Sequence, residues 1–302
     1  MTLGSSPVAS AHLGMLLWAL LVGLSFPVVG WISELPPLLL TALRFAIAAL
    51  ALYGLARRAP DWRPSPAALV LYAVMGLCLA GFFGAMFWAA HRATALSMAT
   101  LFVSVPLLAY CLGLIARVER LAWRLPGILA LGAGGALGLA WAEGRDSGQG
   151  LRFGLGEAVF FLGCVSSALY PVLSKWGLMI RLLSPSPAVR TFWSLAIGSL
   201  LIGFVGLMLE PMSSLRHMTA LDALLLIYLG LFSSAMTFWL QQRATNELSP
   251  GAVTAYSYLI PFVSMLLLFW QAPRQIGWAW LPGSLLVIVA IVLLLKRGSA
   301  TV

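Results

Sequence analysis

The sequence predicts an all-α integral membrane protein with ten transmembrane helices, arranged as two inverted-topology repeats of five helices each. Three observations support this fold class. The chain is apolar with few charges, it contains ten apolar runs of membrane-spanning length, and one sequence motif occurs in each half. Together these observations predict that lipid, rather than water, surrounds most of the surface.

The composition excludes an ordinary soluble domain. Of the 302 residues, 61% are hydrophobic and 9% are charged, whereas soluble domains contain about 25% charged residues. The net charge of +9 does not indicate nucleic acid, because that requires basic residues clustered on one face. Here the basic residues lie in short linkers between apolar runs, as in the loops of membrane proteins. We therefore expect the lipid bilayer as a partner and no nucleic acid.

Ten apolar runs have about the 20-residue length that a transmembrane helix needs. Charged and turn-forming residues separate them, and no linker is long enough to form a separate domain. The ten predicted spans are His12–Trp31, Leu38–Leu55, Ala67–Ala90, Ala95–Ala116, Trp123–Ala142, Phe153–Lys175, Val189–Leu209, Leu221–Gln241, Gly251–Gln271 and Trp278–Leu295.

The distribution of basic residues predicts the orientation. With the N-terminus inside, twelve Lys and Arg residues fall at cytoplasmic span ends and five at outer ends. This excess favours both termini in the cytoplasm. The segment Met1–Ala11 contains no Lys or Arg, so the first apolar run is predicted to be a retained span rather than a cleaved signal.

A sequence repeat relates the two halves of the chain. Phe87–Thr94 returns 151 residues later as Phe238–Thr245, with five of eight positions identical. Residues 1–148 and 149–302 are therefore predicted to be two five-span repeats within one transmembrane domain. Because five is odd, the second repeat enters the membrane from the opposite side. Inverted repeats of this kind are typical of secondary transporters, whose substrate site lies near the membrane midplane.

Two pairs of prolines occur at matched positions inside the spans. Pro27 corresponds to Pro171, and Pro106 corresponds to Pro261. A proline within a helix removes a backbone donor and kinks the helix, and matched interruptions in two repeats indicate a transport site. The four prolines are therefore candidate kink or gating positions, although proline is also common in membrane helices for packing alone.

Small residues four positions apart are predicted to allow close helix approach. One set is Gly134 and Gly138, and another is Gly76, Ala80 and Gly84. This is a packing role that implies no substrate contact.

Aromatic residues inside the spans form the main part of the candidate substrate site. A tyrosine buried in a membrane needs a hydrogen-bond partner, which favours an aromatic-walled polar cavity over lipid, although plain packing remains open for each residue. The candidate substrate-binding residues are Trp18, Phe26, Phe83, Trp88, His91, Tyr110, Tyr170, Trp239, Tyr256, Ser257 and Tyr258.

Ionisable residues inside the spans are few. Arg44 and Arg190 correspond across the repeat. They are functional candidates by default, but both lie within two turns of a span end, where snorkelling to the headgroups explains them equally well. No Asp or Glu lies in the middle of a span, and Glu157, His91 and His12 lie near span ends. We therefore expect transport without obligatory coupling to protons or sodium.

Catalytic and metal-binding motifs are absent from the sequence. It contains no HExxH, P-loop or GxSxG triad arrangement, and its three cysteines lie singly in apolar runs. We expect no cofactor, no metal and no enzyme activity. An intramembrane lipid-modifying enzyme would need a set of polar catalytic residues, and a channel would need a ring of polar residues. Both remain alternative functions.

The first half of the chain contains Arg92-Ala93-Thr94, Pro106 and Glu119-Arg120-Leu121. The second half repeats Arg243-Ala244-Thr245 and Pro261, but has Pro273-Arg274-Gln275 in place of the acidic group. With these motifs the chain resembles the bacterial EamA-type exporters of the drug/metabolite transporter superfamily. The departure in the second half suggests that Glu119 is structural.

The resemblance covers essentially the whole chain and implies a central cavity lined by spans one, three, four, six, eight and nine. In size and aromatic content the chain is similar to the YddG-type aromatic amino acid exporters. This implies export of small amphipathic metabolites, aromatic or hydrophobic amino acids first, by alternating access. We expect a gradient-driven uniporter that is monomeric or weakly dimeric in the bacterial inner membrane. The alternative is a proton-coupled multidrug or metabolite antiporter.

Overall fold

The structure, a computed structural model, describes residues 6–32, 35–144, 154–271 and 278–299. Over these ranges the chain is helical apart from its connections, which confirms the predicted all-α fold class. Nine of the described helical segments are long and apolar enough to cross a membrane, and a tenth, Trp280–Lys296, is apolar but shorter. The predicted boundary between the repeats at residues 148 and 149 lies outside the described residues.

Seven of the ten spans are single helices, and three are interrupted. Spans one, two, three, five, six, seven and ten are Pro7–Trp31, Pro37–Arg57, Pro66–Ala90, Arg124–Gly144, Leu155–Met179, Pro187–Leu209 and Trp280–Ser299. Span four consists of Ala95–Phe102 and Val105–Ile115. Span eight consists of Ala220–Tyr228, the π-helix Leu229–Met236 and Thr237–Glu247. Span nine consists of Pro250–Ala255, the 3-10 turn Tyr256–Tyr258 and Leu259–Gln271. A short 3-10 helix, Met212–His217, precedes span eight.

Proline begins many of these helices, because its fixed φ suits the first turn and its missing N–H is one that a helix start leaves unpaired. At two of these starts a serine caps the helix: Ser6 Oγ accepts from Ala9 N at 3.2 Å, and Ser65 Oγ accepts from Ala68 N at 3.2 Å. The prolines in the first turn are Pro7, Pro37, Pro66, Pro106, Pro187 and Pro250.

Helix packing follows the repeat. Span two packs on span seven, span five on span ten, and the second half of span four on the first half of span nine, so that each pairs with its own counterpart. The contact between spans three and six is likewise matched by that between spans eight and one. A two-fold relation between inverted repeats requires such a pattern of contacts. It also means that most of the helix–helix contacts join one repeat to the other.

Glycines allow the backbones of paired spans to touch. A Cβ atom added to Gly135 of span five would lie 2.8 Å from Val287 N, and one added to Gly283 of span ten would lie 2.8 Å from Gly135 O. Gly138 also faces span ten, with Gly283 Cα 3.4 Å from its Cβ position, whereas Gly134 and Gly84 have nothing within 4 Å. The close approach predicted for Gly134 was therefore wrong by one residue.

The other predicted close approach is at span three. A Cβ atom on Gly76 would lie 2.9 Å from Gly198 N of span seven. Spans three and seven therefore also meet backbone to backbone, across the two repeats. This contact holds span three against span seven, on which span two also packs, and the aromatic side chains described below lie among these spans.

Candidate substrate site

The structure divides the predicted aromatic residues into two groups. Trp18, Tyr110, Tyr256 and Tyr258 belong to the apolar cluster around spans one, four, five, nine and ten, named here the span-nine cluster. Phe83, Tyr170 and Trp239 belong to a second cluster around spans two, three, six, seven and eight, named here the span-three cluster. The side chain of Phe26 lies outside what the structure describes.

The span-nine cluster contains several hydroxyl groups with spare hydrogen-bonding capacity. Tyr256 Oη lies 2.6 Å from His12 Nδ1 of span one. The hydroxyl groups of Tyr110, Ser257 and Tyr258 are buried and have no hydrogen-bond partner among the described residues. Buried polar groups are ordinarily hydrogen-bonded, so these three hydroxyls are available to a ligand.

Matched interruptions lie beside these hydroxyls. Span four breaks at residues 103–104, directly before Pro106, and span nine breaks at Tyr256–Tyr258, before Pro261. At both positions the proline falls in the first turn of the next helical segment, where its missing N–H breaks no helical bond. Pro27 and Pro171 lie instead inside continuous helices. Whether any of the four acts as a gate remains a prediction.

The span-three cluster is a continuous set of ring contacts between the repeats. Phe45 packs edge-on against Phe83 at a centroid distance of 5.3 Å and against Phe238 at 5.9 Å. Phe238 in turn contacts Tyr170 at 5.8 Å, and Tyr170 Oη lies 3.0 Å from Ser194 Oγ. Five spans, two from the first repeat and three from the second, therefore contribute to one aromatic wall.

Arg44 of span two reaches into this wall. Its side chain is 7% exposed, and its Nη2 donates to Ser233 Oγ at 3.2 Å and Ser234 Oγ at 3.4 Å. Its guanidinium carbon lies 5.9 Å from the centre of the Phe83 ring. Nε is buried and has no partner among the described residues. Arg44 therefore does not snorkel to the headgroups, because it points into the protein.

The guanidinium group of Arg44 also lies near the middle of span eight. Its partner Ser233 is halfway along the 28 residues of span eight, Ala220–Glu247. The π-helix Leu229–Met236 presents Ser233 and Ser234 together, and π-helical turns within α-helices occur often at functional sites. The position of Arg44 within two turns of a span end did not indicate this depth, and it is the direction of the side chain that carries the charge there.

Arg190, the repeat counterpart of Arg44, is fully buried and fully engaged. Nε donates to Gln242 Oε1 at 2.9 Å and Nη1 to the Ser184 carbonyl at 2.6 Å. Nη2 donates to the Gln242 carbonyl at 2.7 Å and to Asn246 Oδ1 at 2.6 Å. These bonds tie span seven to the end of span eight, so Arg190 has a structural role and does not snorkel.

The repeated Phe-Trp motif has a structural explanation in both copies. The guanidinium of Arg92 lies 4.1 Å from the Trp88 ring centre, and that of Arg243 lies 5.5 Å from the Trp239 ring centre. Trp239 and Arg243 share a helix, where a spacing of four residues places them on one face, whereas Arg92 lies in the turn directly after span three and reaches back to Trp88. Cation–π attraction holds each pair together, so each tryptophan has a nearby arginine as a ring partner.

The ionisable residues predicted near span ends do lie there. His91 is exposed at the end of span three. Glu157 Oε2 accepts from Gly154 N at 3.0 Å, which caps the start of span six. Glu119 Oε2 accepts from Gly251 N at 3.2 Å at the start of span nine, as expected of a structural acid at the positive end of a helix dipole.

The two ends of the helix bundle differ in packing. Every residue from 81 to 88 of span three, and from 98 to 102 of span four, is half-buried. A packed helix normally has one buried and one exposed face, so these segments are incompletely covered on every side. At the opposite end, residues 250–258 of span nine are all buried. The bundle is therefore packed more loosely at the end where span three finishes, named here the open end, than at the end where span nine begins, named here the closed end.

Sequence reasoning missed the polar face of span eight. The polar residues of this face are all buried. They recur at helical spacing within an otherwise apolar span, and this spacing is visible in the sequence. They are Ser233, Ser234, Thr237, Gln241, Gln242 and Thr245.

Comparison with known proteins gives a family match and a solved structure of similar fold. Residues 154–296 match the model of the EamA-like transporter family. A solved structure, described only as the crystal structure of a protein, has a TM-score of 0.77 and 23% sequence identity, and the match covers 97% of this chain and 98% of that one. At this identity the likeness shows the fold alone. No curated protein matches the sequence.

Proposed function

We propose that the chain is a membrane transporter that exports small amphipathic metabolites, with aromatic and hydrophobic amino acids as the leading substrates, because residues 154–296 match the model of the EamA-like transporter family. The protein works as a monomer or weak dimer in the bacterial inner membrane, with both termini in the cytoplasm. The two repeats alternate between access states, and the gradient of the substrate itself drives net flux. The family that residues 154–296 match is one of transporters, so the enzyme and channel alternatives have less support.

The aromatic wall of the span-three cluster carries this proposal. Phe45, Phe83, Phe238 and Tyr170 come from both repeats, so a substrate ring held among them senses any movement of one repeat against the other. A well-placed ring pair contributes about 0.5–1.5 kcal/mol. That amount supports weak recognition, and weak recognition suits a transporter because a tightly held substrate would not leave.

The unequal packing of the two ends supports alternating access. Exchange between access states requires one end of the bundle to open while the other closes, around a site between the repeats. The half-buried residues 81–88 and the buried residues 250–258 correspond to one such state. With the proposed orientation, the open end faces outward and the closed end faces the cytoplasm.

Flux measurements in proteoliposomes test the proposal. Purified protein is expected to carry labelled phenylalanine and tryptophan down their gradients faster than protein-free liposomes. Phe83→Ala is expected to reduce this flux several-fold because it removes the ring of the wall that lies beside Arg44. The matched control is Phe204→Ala on span seven, since Phe204 is 63% exposed and lies away from the wall. Equal flux in protein-containing and protein-free liposomes would refute the proposed substrates.

One observation favours a proton-coupled antiporter as the second candidate. His12 is 5% exposed, bonds Tyr256 across the repeats and has a buried Nε2 without a described partner. It also lines a pocket of about 280 Å³ near the start of span one, which gives protons a route to it. A histidine that titrates in only one access state would couple transport to pH.

Imposed gradients separate the two candidates. The uniport proposal expects that an imposed pH or sodium gradient drives no accumulation of phenylalanine above equilibrium. It also expects His12→Gln to change flux without changing that result. Accumulation against the phenylalanine gradient would establish coupling, and its loss in His12→Gln would assign the coupling to this residue.

A further inference from the structure

Arg44 and Arg190 occupy matched positions, 146 residues apart, yet their surroundings differ. Arg190 uses all three of its nitrogens in hydrogen bonds of 2.6–2.9 Å. Arg44 donates two longer bonds, of 3.2 and 3.4 Å, from a single nitrogen to neutral hydroxyls. The buried Nε of Arg44 donates to no described residue. Of the two arginines, Arg44 is therefore the one with a buried nitrogen that donates to no described residue.

Three carboxylates in the described part of the chain accept hydrogen bonds from backbone N–H groups at helix starts. Glu210 accepts at 2.8 Å from both Leu38 N and Leu39 N, at the start of the helix that carries Arg44. Glu119 accepts from Gly251 N, and Asp222 accepts from Thr219 N, at the starts of other helices. Among the described residues, none of the hydrogen bonds of Arg44 goes to an acid. The burial of an unneutralised guanidinium is costly, so an anionic ligand at this position would offset that cost.

The surroundings of Arg44 define the class of anion. We propose that Arg44 binds the carboxylate of the transported solute while the rings of Phe83 and its neighbours hold the apolar part. The planar guanidinium donates two parallel bonds that match a carboxylate, and Nε with a terminal nitrogen forms one such pair. The rings beside it exclude a small inorganic anion as the preferred ligand, because such an ion would leave the apolar wall unused.

This inference deepens the proposed function and rests on it. It predicts that the carboxylate of an amino acid matters more for recognition than its ammonium group. Residues 81–88 of span three are all half-buried, so Phe83, which lies beside Arg44, is partly exposed towards the open end of the bundle. The site is therefore an aromatic carboxylate site with one fixed positive charge.

The first test uses the unmodified protein in proteoliposomes and four probes of one size. They are phenylalanine, phenylalaninamide, 3-phenylpropionate and phenethylamine. We expect the two carboxylates to compete with labelled phenylalanine about ten-fold or more better than the two amines, as hydrogen bonds to a charged group imply. Equal competition by phenylalanine and phenylalaninamide would overturn the assignment without any variant.

The second test uses Arg44→Gln and Arg44→Lys, with Arg57→Gln as control, since Arg57 is exposed on the same helix. Monodisperse behaviour on size-exclusion chromatography checks folding. We expect Arg44→Gln to abolish the preference for carboxylates and Arg57→Gln to leave it unchanged. Arg44→Lys should retain part of the preference, because a lysine keeps the positive charge but cannot donate two parallel hydrogen bonds as a guanidinium does. An unchanged preference in Arg44→Gln would overturn the proposal.

A binding measurement separates this inference from the transport proposal. If phenylalanine is not carried at all, the proposed substrate fails, but Arg44 can still be assessed by thermal unfolding in detergent. We expect 3-phenylpropionate, and not phenethylamine, to raise the unfolding midpoint of the wild type, with no rise in Arg44→Gln. Equal responses of the wild type to both probes would overturn the carboxylate assignment.

Discussion

At the scale of single residues, the few acidic groups explain how so apolar a chain holds its helices in register. Glu210, at the end of span seven, receives two backbone N–H groups from the start of span two. Glu119, after span four, receives one from the start of span nine. Each of these contacts joins one repeat to the other. A carboxylate at a helix start satisfies unpaired donors and complements the helix dipole.

Two tyrosines allow a matched test of hydroxyl function. Tyr170 Oη bonds Ser194, whereas Tyr258 Oη is buried without a described partner. Tyr170→Phe is expected to lower the free energy of unfolding by about 1 kcal/mol through the lost hydrogen bond. Tyr258→Phe is expected to leave stability unchanged and to reduce phenylalanine flux, because its hydroxyl is free to contact a substrate.

Thermal unfolding in detergent and flux in proteoliposomes measure the two effects of these tyrosine variants. Alanine variants are less informative, because Tyr256 and Tyr258 are 0% and 2% exposed and removing such a ring opens a cavity that costs several kcal/mol. Trp18→Ala remains useful since Trp18 is only half-buried. If Tyr258→Phe and Trp18→Ala both transport normally, the span-nine cluster does not contact the substrate.

At the scale of elements, some interruptions were predictable and others were not. Pro106 and Pro261 indicated the breaks in spans four and nine, since proline is disfavoured in a helix middle. The same signal at Pro27 and Pro171 accompanies no break, because both lie inside continuous helices. The π-helix Leu229–Met236 contains no proline, and its single Gly230 gives no specific signal. Its geometry depends on how span eight packs against span two, which local sequence does not encode.

The same distinction explains why the role of Arg44 was not predicted. Its depth in span two could be read from the sequence, but depth alone does not say which face of the helix meets protein and which meets lipid. Snorkelling and burial are equally compatible with its position. Only the packing of span two against spans seven and eight directs the side chain inward, to Ser233 and Ser234.

Neighbouring glycines of span five test the paired-span packing. Gly135→Ala is expected to lower the unfolding midpoint in detergent, because its new methyl group would lie 2.8 Å from Val287 N. Gly134→Ala has open space and is expected to be neutral or stabilising, since alanine is favoured over glycine in a helix by about 1 kcal/mol. Equal effects of the two substitutions would contradict the described contact between spans five and ten.

At the scale of the whole molecule, the spans themselves could be predicted to within a few residues. Long apolar runs have few alternatives to a membrane helix, and the repeat at Phe87 and Phe238 showed that there are two halves. The pairing of each span with its counterpart, and the open and closed ends of the bundle, could not be predicted. Both depend on contacts between residues far apart in the chain.

The topology is tested by reporter fusions. Five spans separate the loop at residues 143–148 from the C-terminus, so reporters in that loop and at Val302 are expected to lie on opposite sides of the membrane. Alkaline phosphatase should be active at the loop and green fluorescent protein should be fluorescent at Val302. Reporters on the same side would contradict the inverted relation of the two repeats.

The most direct test of the whole account is counterflow in proteoliposomes. Vesicles are loaded with unlabelled phenylalanine and diluted into a trace of labelled phenylalanine, with pH and sodium equal on both sides. A carrier that alternates between two access states around one site exchanges the label inward, so we predict a transient accumulation of label above equilibrium. This overshoot should be lost in Arg44→Gln and retained in Arg57→Gln. Simple equilibration without an overshoot, in vesicles that hold folded protein, would contradict alternating access with phenylalanine as substrate.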